Sequence, residues 1–232
     1  MYDYRFDFFK PGKTSYTPQE FMNILGPLEI MGFEIRFPPR DPHVYMKKGT
    51  ITFQPRETQL GVELLMPGKR LGLFIGPAEG EHGSIGLLAM PEEQFEENPQ
   101  ENTGLLFRTA LHISNALKPY FAWGDHELEL DKLTHCLSLD RIGALAWANF
   151  FSKEFIEEIG GIEKVLFDPE DKQSKKEAQD TLETFSVVPM ELAPNPVEPT
   201  EPGIILGLES RYPRALFRSF KIPHPSAIEV EP

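Results

Sequence analysis

The sequence predicts an α+β fold, with one or more largely antiparallel sheets and a few helices packed on one face. Short apolar or alternating segments follow one another between residues 33 and 90, and glycine or proline separates most of them, a pattern typical of antiparallel meanders. Two other segments place apolar residues at helical spacing between start and stop signals. The 18 phenylalanines and 40% hydrophobic residues are enough for a core. We expect a single domain over residues 1–232, with two related sub-lobes, 1–120 and 121–232, as the alternative.

The N-terminal elements carry the clearest local signals. Residues 4–9 alternate aromatic and charged side chains, which predicts a strand. Thr17-Pro18-Gln19-Glu20 is a capping box with proline at the first helical position, so a helix begins there. Gly26-Pro27 should kink or end this helix near its middle. The strands predicted next cover residues 33–37, 50–54, 60–66, 71–75 and 84–90.

The most convincing long helix is predicted over residues 103–120. Leu106, Ala110, Ile113 and Leu117 recur there at helical spacing, and Lys118-Pro119 marks the end. The remaining predictions are a surface loop or short helix at 91–101, a buried strand at 144–151, a helix at 153–159 between Ser152 and Gly160-Gly161, and a late strand pair at 185–190 and 203–208.

The composition argues against several classes of function. The chain has 36 acidic and 23 basic residues, a net charge of −13, which should repel phosphate backbones and anionic lipids. We therefore expect neither a nucleic-acid nor a membrane partner, and we interpret the basic residues Arg211, Arg214, Arg218 and Lys221 as a solvated face. No apolar stretch is long enough to span a bilayer, and the first residues lack a signal-peptide pattern. Cys136 alone cannot form an internal disulfide, so a cytoplasmic protein is expected.

The most informative stretch is residues 121–127, where Trp123 is followed by Gly124, Asp125, His126 and Glu127. A histidine beside carboxylates can serve acid–base catalysis or metal binding. Neighbouring residues on an extended chain point in different directions, however, and no recognised metal-ligand spacing is present. We predict no metal and no cofactor, and we interpret the stretch as a helix-exit loop. In this loop Asp125 should cap the following helix and Trp123 should be exposed.

Other candidates have ordinary structural explanations. Residues 79–83, which include His82, are most simply a hairpin turn. Cys136 is most simply a core residue, because a sequence neighbour rarely supplies a correctly placed base. Asn149 lies within an apolar run, where it either bonds to backbone or lines a pocket. No nucleophile elbow and no phosphate-binding glycine pattern is present, so no motif assigns an activity.

The run from Leu145 to Gly161, followed by a proline-containing strand and by Gly203-Ile-Ile-Leu-Gly-Leu208, resembles the C-terminal half of some poorly characterised bacterial α+β families. Some members of those families are assigned as immunity proteins of polymorphic toxin systems. The resemblance covers about the last third of the chain, rests on a packing pattern and carries over no functional residue. It implies a non-enzymatic acidic protein that neutralises a partner by binding it.

Two hypotheses of different classes follow. The first is a non-enzymatic cytosolic binding protein of the immunity type, whose acidic surface speeds association with a basic, toxin-like protein. The second is a small-ligand-binding protein or enzyme that uses the loop from Trp123 to Glu127, together with Asn149 or His82. No catalytic residue is assigned. The candidate binding residues are Tyr120, Trp123, Asp125, His126, Glu127 and Asn149.

Overall fold

The structure, a computed structural model, describes residues 3–37, 45–47, 50–52, 59–79, 83–128, 130, 146–160, 185–189 and 214–218. Its strands are β1 (Asp3–Phe9), β2 (Glu34–Arg36), β3 (Tyr45–Lys47), β4 (Thr50–Thr52), β5 (Leu60–Met66), β6 (Lys69–Glu79), β7 (Ser84–Pro91), β8 (Phe121–His126), β9 (Ala148–Phe151), β10 (Phe185–Pro189) and β11 (Arg214–Arg218). Nine of them form one antiparallel sheet in the order β10-β11-β9-β8-β1-β7-β6-β5-β2, and β3 pairs with β4. The predicted α+β class with antiparallel strands is confirmed.

The helices whose full bounds are described are α1 (Pro18–Ile30), α2 (Glu92–Glu97), α3 (Pro99–Leu117) and α4 (Lys153–Ile159); residues 127, 128 and 130 are also helical. In the confirmed capping box of α1, the Glu20 amide donates to the Thr17 hydroxyl and the Thr17 amide donates to the Glu20 carboxylate. Of the two outcomes predicted for Gly26-Pro27, a kink or an end of the helix, the end is wrong, because α1 continues to Ile30. The missing Cβ of Gly26 eases the restriction that a proline places on the residue before it.

The long helix α3 begins four residues earlier than predicted and ends three residues earlier. Asn98 caps it by accepting the Glu101 amide, and Pro99 occupies the first helical position. The helix stops at Lys118, which has a left-handed backbone with φ 51°. A proline directly after this residue prevents continuation. The apolar periodicity located the helix, whereas its caps set the bounds.

The sheet is covered on two faces by different helices. On β1, Tyr4, Phe6 and Phe8 belong to the larger core with α1, α2 and α3, while Phe9 belongs to a smaller core on the opposite face. The smaller core contains Phe121, Trp123 and Phe151 of the sheet and Phe155 of α4. Side chains alternate between faces along a strand, which explains how one strand serves both cores. Helix α4 therefore packs on the face opposite the other helices.

Several further predictions can be compared with the described residues. Strands β6 and β7 pair antiparallel next to the predicted turn, and α4 has the predicted bounds with its Ser152 cap and Gly160 end. Strand β10 pairs with β11. The predicted pair of strands at 185–190 and 203–208 stays a prediction, because residues 203–208 lie outside the described residues. Cys136, His82 and Lys221 also lie outside them. Within them, no helix combines the length and apolar character needed to cross a membrane.

Candidate functional site

The segment predicted to be a helix-exit loop is instead the buried strand β8. Its six residues pair with β1 on one side, from Tyr4 opposite His126 to Phe9 opposite Phe121. On its other side, Phe121 to Gly124 pair with β9. Gly124 is paired with a strand on each side. Its backbone is therefore extended and forms ladder hydrogen bonds, so it does not form a turn. The loop prediction failed because glycine and charged residues usually mark turns.

Trp123 is completely buried, with 0% of its surface exposed, so the prediction of an exposed contact is wrong. Its ring centroid lies 5.8 Å from that of Phe9 and 5.7 Å from that of Phe121 in the smaller core. Gly124 next to it is required by packing, because a Cβ at that position would come within 2.4 Å of the Phe6 ring. Trp123 therefore packs in the smaller core, whereas Gly124 leaves room for the Phe6 ring on the opposite face of the sheet.

Asp125 and Asn149 fasten the start of β9 to the sheet. One carboxylate oxygen of Asp125 accepts the Trp147 amide at 2.7 Å, and the other accepts the His126 amide at 2.8 Å. The Asn149 side chain accepts the Ala146 amide at 3.0 Å and donates to the Ala146 carbonyl at 2.8 Å. Asp125 therefore binds the backbone next to a strand that is distant in sequence, and the predicted capping of the following helix stays a prediction. For Asn149 the backbone-bonding alternative is confirmed.

His126 lies beneath α2, on the face of the sheet that α1, α2 and α3 cover. Its Nε2 is 3.2 Å from Oε1 of Glu92, and its ring meets the edge of Tyr4 with the centroids 5.1 Å apart. Tyr4 in turn stacks on Phe95 of α2 at 3.8 Å. The histidine is only 7% exposed. It therefore joins α2 to the sheet.

Glu127 follows β8 and is bound by an arginine of β1. Arg5 Nη1 donates to Glu127 at 2.9 Å, and Arg5 Nε lies 3.1 Å from the Asp7 carboxylate. Asp125, His126 and Glu127 thus interact with a strand start, a helix and an arginine respectively, and they do not converge on one point. Tyr120 is partly exposed and packs on Phe155. Whether any of the six candidates binds a partner stays a prediction.

A concentration of carboxylates lies at the end of the sheet where β1 begins and β7 and β8 end. Asp3, Glu92, Glu93 and Glu127 are found there, and we call these four residues the acidic end. Burial raises the pKa of the Asp3 carboxyl above its ordinary 3.8, and repulsion from Glu127 and then Glu93 raises it further, partly offset by the attraction of Arg5. Asp3 is therefore close enough to Glu127 and Glu93 for the carboxylates to repel it.

Helix α2 extends this charge away from the sheet. Four of its six residues are glutamates, and Glu93, Glu96 and Glu97 are exposed. Glutamates four residues apart on a helix repel each other, and both 92–96 and 93–97 have that spacing. Asp3, Arg5 and α2 were not among the predicted site residues. The available signals were the run of glutamates at 92–97 and the alternating charges of β1, which meet only once the strands are paired.

The acidic end and helix α2 can bind a partner through electrostatic attraction. Within the described part of the chain, no group of three or more His, Cys, Asp or Glu has an arrangement that could hold a metal ion. Glu127 has the Arg5 guanidinium as a neighbour and Glu92 has the His126 imidazole. Among the residues that the structure describes, no lysine or arginine forms an ion pair with the exposed carboxylates of α2. Exposed carboxylates held on a packed helix suit a cationic partner.

No protein-family model matches the sequence, and no curated protein matches it. Among solved structures, the chain is similar to the Pseudomonas aeruginosa T6SS protein PA0821, with 12% sequence identity and a TM-score of 0.37. The alignment covers 70% of this chain and 61% of that protein. The chain thus spans less than two thirds of the length of that structure, and a TM-score of this size establishes no shared fold.

Proposed function

We propose that this chain is a cytoplasmic, non-enzymatic binding protein that neutralises a basic protein partner, in the manner of an immunity protein. The acidic end and helix α2 form the binding surface. The observation that carries the proposal is the crowding of carboxylates there: Glu93, Glu96 and Glu97 are exposed on one short helix, and Asp3 lies close enough to Glu127 and Glu93 to be repelled. A cationic partner would relieve this repulsion on binding.

Electrostatics of this kind acts mainly on the rate of association. Complementary charge can raise the rate constant from about 10⁵–10⁶ M⁻¹s⁻¹ toward 10⁸–10⁹ M⁻¹s⁻¹ at low salt. The net charge of −13 favours attraction of any cationic protein, and α2 gives the attraction a direction. Fast capture suits the neutralisation of a toxin, because the toxin must be bound before it acts.

The construction of α2 supports the same function. Its like-charged pairs oppose helix formation, yet Phe95 is 1% exposed in the core and Asn102 donates to the carbonyls of Gln94 and Phe95. A helix that breaks local rules and is held by tertiary contacts marks a place where something other than stability has shaped the sequence. Presentation of negative charge to a partner is such a requirement.

The experiment compares three baits in extracts of the native cell. One is the wild-type protein, the second carries Glu93→Gln, Glu96→Gln and Glu97→Gln on α2, and the third carries Glu154→Gln, Glu157→Gln and Glu158→Gln on α4. The two variants lose the same charge on two short exposed helices. We expect the wild type and the α4 variant to retain the same basic protein, which the α2 variant loses.

The retained protein is then purified and its association measured by stopped-flow fluorescence at several salt concentrations. Its association rate constant should fall by at least about tenfold for the α2 variant and should fall steeply with salt for the wild type. Coexpression should also protect cells from that protein. Equal retention by all three baits, or no retained basic protein, would contradict the proposal.

A further inference from the structure

Helix α1 has a second apolar stripe on the side away from the core. Its core side is formed by Phe21, Ile24, Leu25 and Leu28. The outer side bears an open, shallow pocket lined by Met22, Asn23, Gly26, Pro27, Glu29 and Ile30. Residues 22, 26 and 30 are spaced by four, so they follow one line along the helix surface. The groove therefore runs along α1 itself.

The α1 groove, the surface along Met22, Gly26 and Ile30, is depressed at Gly26 and has an exposed apolar side chain at one end. A Cβ at Gly26 would meet no atom within 4 Å beyond the helix's own backbone, so the surface is low between Met22 and Ile30. Ile30 is 89% exposed, the most exposed large hydrophobic side chain among the described residues. Met22 packs partly against the core at the other end. An apolar side chain of a partner would fit between these two residues.

The charge next to the groove is negative. Glu29 lines it and is exposed, and the last turn of α1 contains no basic residue. The C-terminal end of a helix carries a partial negative charge from its free carbonyls, so Glu29 and the helix end attract the same kind of group. A lysine or arginine of a partner would meet both at the Ile30 end of the groove.

We infer that the α1 groove docks a segment of a basic protein that presents a large apolar side chain beside a lysine or arginine. The apolar side chain lies over Gly26 between Met22 and Ile30, and the cation lies against Glu29. A second copy of this chain fits less well, because two chains of net charge −13 repel each other. The identification of the occupant as a basic protein rests on the proposed function as well as on Glu29.

The test uses a synthetic helical peptide of about twelve residues with one central leucine flanked by lysines at helical spacing. Its matched control replaces the lysines by glutamates. Each is titrated into the labelled full-length protein and followed by NMR chemical shifts. We expect saturable shifts at Met22, Gly26 and Ile30 with the lysine peptide, with a dissociation constant below about 1 mM, and none with the glutamate peptide.

Three protein variants locate the binding. Ile30→Gln should weaken binding about tenfold, whereas Leu128→Gln, at another exposed large hydrophobic side chain, should leave it unchanged. Glu29→Lys should reduce the preference for the lysine peptide over the glutamate peptide. Absence of saturable shifts, equal weakening by both leucine and isoleucine replacements, or an unchanged preference in Glu29→Lys would overturn the inference. The α2 glutamine variant should bind the peptide like the wild type, so failure here is distinct from failure of the proposed function.

Discussion

Helices α2 and α4 are both short, acidic and anchored to the sheet by one buried phenylalanine, but they are stabilised in different ways. In α4, the Ser152 hydroxyl accepts the Phe155 amide, Gly160 ends the helix in a left-handed conformation, and Lys153 lies 3.6 Å from Glu157 one turn on. In α2, Pro91 offers no side-chain cap, and the glutamates at 92 and 96 and at 93 and 97 form like-charged pairs. Local rules therefore favour α4 and oppose α2.

The difference shows where tertiary structure replaces local preference. Helix α2 is held by Phe95, which stacks on Tyr4, by the contact of Glu92 with His126, and by two bonds from Asn102. The contacts with Tyr4 and His126 come from β1 and β8, which are distant in sequence, whereas Asn102 belongs to α3, which follows α2 closely. The fold thus fixes a run of glutamates that would be poorly ordered alone. Helix α4 has a similar length, but its bounds are set largely by its own sequence, through the Ser152 cap and the Gly160 end.

The largest predicted effect comes from removal of the two anchors. Phe95→Ala and Phe155→Ala each remove a side chain that is at most 3% exposed, so each should lower the free energy of unfolding by about 3–5 kcal/mol. Urea denaturation followed by tryptophan fluorescence measures this. Amide hydrogen exchange should then separate the helices, because α2 has no side-chain N-cap to hold it once Phe95 is lost.

We expect α2 amides to exchange rapidly in Phe95→Ala, while α4 amides in Phe155→Ala keep more of their protection. The reason is that the Ser152 cap and the Gly160 end of α4 do not depend on the phenylalanine ring. Equal loss of protection in both helices would show that α4 depends on tertiary contacts as much as α2 does, and the comparison would fail.

The sequence predicted α4 to the residue but led us to interpret the strand at residues 121–126 as a loop, and both outcomes have the same physical reason. Ser152 and Gly160-Gly161 are signals that act within one turn of chain, so they can be recognised without knowledge of the fold. Trp123 and Gly124 owe their positions to β1, since the Phe6 ring occupies the space that a side chain at 124 would need. A glycine required by a distant ring looks, in the sequence, like a glycine required by a turn.

The acidic end was hidden in the sequence for a related reason. Asp3, Glu93 and Glu127 are far apart along the chain and come together only because β1 lies between β7 and β8. The class of fold could be predicted because the alternation of apolar residues is local. The order of strands could not, because many pairings satisfy the same alternation.

A smaller effect is expected at Asp3, and its sign follows from the raised pKa. The folded state holds the proton of the Asp3 carboxyl more tightly than the unfolded chain does. The ionised carboxylate therefore disfavours folding at neutral pH. This destabilisation is lost as the pH falls through the raised pKa. Asp3→Asn should therefore raise the free energy of unfolding at pH 7. Urea denaturation at several pH values should show the gain shrinking toward pH 4. A loss of stability at pH 7 would indicate that Asp3 is bound favourably, and the acidic end would not be a site of net repulsion.

The smallest effect is the most direct test of the difference between the helices. Double-mutant cycles with glutamine replacements at Glu93 and Glu97 in α2, and at Lys153 and Glu157 in α4, isolate one pairwise interaction in each helix and cancel the effect of each charge on the helix dipole. The coupling should be repulsive in α2 and attractive in α4, each about 0.2–0.5 kcal/mol, and both should fade at about 1 M salt. Couplings of the same sign would mean that α2 is not under internal repulsion, and the argument that its charges are kept for a partner would lose its support.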